Sequence, residues 1–152
     1  DVQQVILNGE NVTSLLRTEE TGKMASKTSK YAAVRTKLVA LQRGLAKKTD
    51  VIMDGRDIGT TVLPDAFAKI YLTASSDARA KRRYDELKEK GEDCSFDAIK
   101  EDIEKRDYED MHRAISPLKQ ADDAVLVDTS DMNIEQVVAA LSKIIDEKKA
   151  GR

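Results

Sequence analysis

Ala68-Lys69-Ile70-Tyr71-Leu72-Thr73-Ala74-Ser75-Ser76-Asp77 sets a short apolar run directly before two serines and an aspartate. The run Ala68 to Leu72 reads as a buried parallel strand, since such strands are near-continuously apolar. Ser75 or Ser76 then supplies a side-chain oxygen to open a helix, with Asp77 following. That helix is predicted to run to about Gly91, whose missing Cβ suits a helix end. A strand feeding a helix in this way is the unit of an α/β layer fold.

The same alternation extends in both directions. Val51-Ile52-Met53 and Ala124 to Val127 are two further apolar runs bounded by Asp or Thr, expected as buried parallel strands. A helix starts after Ser95 and stops before Pro117, and the last begins at Asn133, with Gln136 in capping-box spacing. Ile134, Val137, Val138, Leu141, Ile144 and Ile145 give that last helix an apolar face. Upstream, Val34, Leu38, Leu41 and Leu45 have helical spacing. Val2 to Leu7 reads as a strand leading into an Asn8-Gly9 hairpin turn. Three short parallel strands and a hairpin make a thin sheet for this many helices, so the chain reads as part of something larger.

Composition narrows the function classes. The 152 residues suit one domain, and 40% apolar content excludes disorder throughout. No run reaches the roughly 18 apolar residues of a membrane helix, and Asp1-Val2-Gln3-Gln4 lacks a signal-peptide pattern. Cys94 is the sole cysteine, which fits a reducing, cytoplasmic setting. A net charge of −2 argues against a general nucleic-acid coat, so neither nucleic acid nor membrane is expected as a partner.

Three features carry candidate chemistry. Phe96, Ile99, Ile103, Arg106, Asp110 and Arg113 share one helix face that begins apolar and turns ionic. Inward charges need partners or a ligand; equally, the helix could outrun the core and leave Arg106 and Asp110 as a surface pair. Asp54-Gly55-Arg56-Asp57-Ile58-Gly59-Thr60 follows the strand Val51 to Met53, where α/β folds bind ligands. An ordinary polar turn explains the same residues more simply. Arg79, Arg82 and Arg83 suit phosphate oxygens, or form a solvated face paired with Asp77 and Glu86. Many arginines without a nucleophile or histidine base fit phosphoryl transfer, where positioning and charge neutralisation do most of the work. Gly22-Lys23 imitates a phosphate loop, but Arg17 and Met24 stand where that motif needs Gly and Ser or Thr.

At these residues the sequence resembles the bacterial cytidylate kinases. The resemblance is carried by Val5-Ile6-Leu7-Asn8-Gly9-Glu10-Asn11-Val12, Leu16-Arg17-Thr18-Glu19, Asp54 to Thr60, Leu63-Pro64-Asp65-Ala66, Arg82-Arg83-Tyr84, Leu87-Lys88-Glu89-Lys90-Gly91, Arg106-Asp107 and His112-Arg113-Ala114-Ile115-Ser116-Pro117-Leu118. It implies transfer of the ATP γ-phosphoryl group to CMP or dCMP with Mg²⁺. Ser26, Arg35 and Asp57 would hold the cytosine edge, and a carboxylate does suit the exocyclic amino group of cytosine. Arg56 and Arg113 would clamp the acceptor phosphate, with Arg106 and Asp110 near sugar and phosphate. Asp54 would serve the metal through water, and Arg82 and Arg83 would reach the transferring phosphate. The catalytic set implied is thus Arg82, Arg83, Arg106 and Arg113.

The implied architecture is a P-loop three-layer α/β fold with a parallel core sheet and a small hairpin-and-helix insertion. Residues 1–46 would belong to that CMP-binding insertion, and residues 47–152 to the core, with a lid at about 79–95. The family's Gly-rich phosphate loop and first strands are absent from these residues. The chain is therefore expected to be a C-terminal portion, inactive alone, of a protein that is monomeric at full length. A non-catalytic CMP-binding module and a helical partner or RNA-interaction protein are the alternatives.

Overall fold

Asn8 and Gly9 both adopt positive φ, 51° and 89°, as a two-residue primed hairpin turn requires. They join β1 (Ile6–Leu7) to β2 (Glu10–Asn11), with Ile6 opposite Asn11 and Leu7 opposite Glu10. The computed structural model describes residues 4–16 and 18–151; the expected strand start at Val2 lies outside them, as does Arg17. The chain divides into two units, Asp1–Thr49 and Asp50–Arg152.

In the first unit, α1 (Glu19–Thr28) is capped by Thr18, whose side chain accepts from the Thr21 N–H. After it comes α2 (Ala32–Ala46). Its predicted stripe is helical, yet Val34, Leu38, Leu41 and Leu45 are all exposed, Leu45 at 58%. The half-buried row is instead Arg35, Val39, Gln42 and Ala46, one step round the helix.

The second unit is built on β3 (Ile70–Thr73) and β4 (Val125–Asp128), paired in parallel with Ile70 opposite Val125 and Thr73 opposite Asp128. The crossover between them is two helices, α3 (Ser76–Glu89) and α4 (Phe96–His112), and α5 (Ile134–Ala150) follows β4. This mixed α/β arrangement with a parallel sheet agrees with the reading of the sequence. The caps agree as well: Ser75 and Ser95 accept from the N–H groups of Ala78 and Ala98, and Asn133 and Gln136 form a reciprocal capping box. Gly91, at φ 75°, ends α3: the Glu92 N–H reaches back to Leu87 O and the Gly91 N–H to Lys88 O, which satisfies two terminal carbonyls.

Two strand expectations are corrected. Val51-Ile52-Met53 forms no strand, and Ile52 is fully exposed. A strand exists through hydrogen bonds to a neighbour, and the described residues place none beside this run. The two strands that do form are not buried on both faces, since Leu72 and Leu126 are 52% and 56% exposed. The buried apolar core is Val62, Ala74, Ala80 and Val127.

Candidate active site

The segment after Val51–Met53 does not begin at a strand end, but it is firmly shaped. Ile58–Val62 closes a π-helical turn in which the N–H groups of Thr61 and Val62 both donate to Asp57 O, at 2.8 and 3.2 Å. Such wide turns are rare and recur at functional sites. Val62 is the most deeply set large side chain and anchors the turn, and Asp57, at its start, is buried.

The ionic end of the α4 stripe meets this segment. Asp110 is buried in the last turn of α4, and its Oδ2 accepts from Arg56 Nε at 2.9 Å. Arg113, extended just past the helix end, brings Nη1 to 3.6 Å from Asp110 Oδ1 and donates through Nε to Ser116 O at 2.6 Å. Asp110 also returns a backbone bond, its carbonyl accepting from the Leu118 N–H at 2.8 Å. Ser116 takes a left-handed backbone, φ 48°, and accepts from the Thr61 hydroxyl at 3.3 Å. The π-turn and the loop after α4 are thereby tied together.

Two guanidinium groups on one carboxylate leave this cluster in positive excess. Arg113 Nη2 is buried and has no hydrogen-bond partner among the described residues. Leaving such a donor unsatisfied costs on the order of 1–3 kcal/mol, more for a charged group. An anion placed against Arg56 and Arg113 would satisfy it, and planar forks suit phosphate oxygens.

The other predicted residues stand as follows. Arg106 is exposed and has no ion pair among the described residues, so the surface pair of Arg106 with Asp110 does not form. Asp54 is exposed at the start of the segment. Arg82 donates to the backbone carbonyls of Thr129 and Met132, in the loop after β4. Arg83 pairs with Glu86 at 2.9 Å, and the hydrogen bond from Lys90, together with this contact, holds the Glu86 carboxyl below its ordinary range. Ser26 lies half-buried on α1 and Arg35 half-buried on α2, both in the first unit.

One relation escaped the sequence reading. Arg79 does not pair with Asp77 or Glu86; it forks onto Asp107 of α4, at 3.0 and 2.6 Å. The available signal was a second face of α4, Lys100, Glu104 and Asp107, spaced 4 and 3 like the stripe itself.

The profile of the cytidylate kinase family matches residues 1–147. The chain belongs to the cytidylate kinase family. A cytidylate kinase of Lactobacillus johnsonii is 52% identical over 147 residues, which cover 97% of this chain and 64% of that protein. Those of Lactobacillus gasseri and Enterococcus faecalis are 52% and 47% identical over 147 and 146 residues. The chain thus spans 64–65% of the length of these relatives.

Proposed function

We propose that the protein carrying this chain transfers the γ-phosphoryl group of ATP to CMP or dCMP. The observation that carries the reading is the buried Arg113 Nη2, without a hydrogen-bond partner among the described residues, beside Arg56 and Asp110. The relatives are cytidylate kinases by name, which supports the acceptor.

In this reading Arg56 and Arg113 clamp the acceptor phosphate while Asp110 holds both guanidinium groups in place. Arg106, exposed one turn earlier on α4, is available to sugar or phosphate. Asp57 reads the base. Its carboxylate accepts from the cytosine amino group, whereas uracil would set oxygen against it, so UMP is rejected. Arg82 and Arg83 act on the transferring phosphate only by exchanging their present partners, the carbonyls of Thr129 and Met132 and the Glu86 carboxylate, for phosphate oxygens. Such an exchange suits a lid at about 79–95 that closes on substrate.

Mg²⁺ with ATP completes the chemistry. The described residues form no cluster of three or more metal-ligating side chains. Mg²⁺ does not need one, because it keeps several waters and is held by one or two carboxylates and substrate phosphates. The exposed Asp54 fits that role through water. When bound, the ion neutralises phosphate charge.

The finer architecture follows from the same reading: a P-loop three-layer fold, with residues 1–46 in the CMP-binding insertion and 47–152 in the core. The protein is read as a cytoplasmic monomer; no described helix is long and apolar enough to cross a membrane. These residues contain no Gly-rich loop ending in Lys-Ser or Lys-Thr, so the 152-residue chain alone is expected to turn over negligibly. The test is ADP release by the full-length protein with CMP, dCMP or UMP as acceptor. Turnover with the cytosine nucleotides and little with UMP is expected. Equal use of UMP, or binding of CMP without transfer, overturns the reading.

A further inference from the structure

We propose that Arg79 and Asp107 form a positioning clamp that sets α4 so that Arg106 faces the acceptor nucleotide and Asp110 holds Arg56 and Arg113 toward it, an inference resting on the kinase reading above. Beside the edge-on ring pair of Tyr84 and Phe96, the seam between α3 and α4 carries a row of polar contacts. Lys100 Nζ lies 2.8 Å from Asp77 Oδ1, the Ser76 hydroxyl donates to Glu104 at 2.8 Å, and Arg79 forks onto both oxygens of Asp107. The first two contacts are largely exposed and tie helix to helix only. Arg79 differs because its Nε also donates to Ala74 O at 3.0 Å. Ala74 is buried directly after β3, so this one guanidinium links the strand end to α4.

Where the link lands gives it a function. Asp107 adjoins Arg106 and lies three residues, about one turn, before Asp110. A rotation of α4 large enough to move Asp107 off the fork would also move Asp110 away from Arg56 and Arg113. Each of the three Arg79 side-chain nitrogens already has an acceptor, so Arg79 acts through α4 and does not touch substrate. Lysine could not replace it, because a point charge cannot serve two carboxylate oxygens and a carbonyl in fixed directions.

The experiment compares Asp107→Asn, Asp107→Glu and Arg79→Lys in the full-length protein. Asp107→Asn is expected to raise KM for CMP about tenfold, the scale expected of a small misplacement of binding groups. KM for ATP should stay within about twofold, and Asp107→Glu, which keeps two acceptor oxygens, should recover most of the loss. A folded Asp107→Asn variant with unchanged KM for CMP overturns the clamp, as does an equal rise for both substrates. If Asp107→Asn does not fold, Arg79→Lys is judged by the same criteria. Hydrogen exchange over residues 106–113 separates this idea from the kinase reading: faster exchange there in Asp107→Asn, with α5 unchanged, supports the clamp even if wild-type protein fails to phosphorylate CMP. Unchanged exchange overturns it.

Discussion

Arg56 donates through Nε to Asp110 at 2.9 Å across 54 residues of sequence, and this bond joins the segment Asp54 to Thr60 to the ionic end of the α4 stripe. It ties a polar loop to a helix end. Breaking a buried pair usually costs about 3–5 kcal/mol. Because the Arg56 side chain is 47% exposed and Asp110 9%, solvent screening reduces the expected loss to about 1–3 kcal/mol for Asp110→Asn. Urea unfolding measures that loss, and calorimetry should show weakened CMP binding in the same variant. Full stability with full CMP affinity would remove Asp110 from the account.

Asp57 is buried at the start of the π-turn, and in the proposed reading its carboxylate is the acceptor that selects the base. One good base-edge contact is worth about 1–3 kcal/mol of discrimination. Asp57→Asn is therefore expected to lose about that much of the preference for CMP over UMP, because an amide can donate to the uracil oxygen. Competition binding with the two nucleotides gives the ratio. An unchanged ratio would place base selection elsewhere.

Asp123 gives a pH prediction independent of the nucleotide. The hydrogen bond from Lys69, at 2.5 Å, holds its carboxyl below the ordinary aspartate range, and the Lys69 side chain is only 9% exposed. A lowered folded pKa means stability that is present above the ordinary carboxylate range and lost as pH falls through the lowered value. Wild-type protein should unfold at higher temperature than Asp123→Asn near neutrality, and the gap should close in acid. A gap that stays constant down to pH values where carboxylates are protonated would contradict the assignment.

The elements legible in the sequence were those fixed by neighbours a few residues apart. Ser75, Ser95 and the Asn133–Gln136 pair cap helices through bonds that span three residues, and Asn8-Gly9 sets its own turn. Partners distant in sequence were less legible. Val51–Met53 has the composition of a strand, but strand formation depends on a neighbour that no local pattern supplies. The α4 stripe left open whether its ionic end faces inward; Asp110 is buried and Arg106 exposed, and helical spacing could not reveal that Arg56 would meet Asp110. Arg79 was hidden for the same reason, since its acceptor lies on a different helix.

The central claim, that Arg56 and Arg113 hold an acceptor phosphate, is tested most directly by titrating CMP and cytidine into wild-type and Arg113→Lys protein in a calorimeter. We predict that the lysine variant loses about tenfold or more of its affinity for CMP, because the fork geometry is gone, while its affinity for cytidine is unchanged. If CMP binding is undiminished, or if CMP and cytidine weaken equally, Arg113 does not contact the phosphate and the claim is wrong.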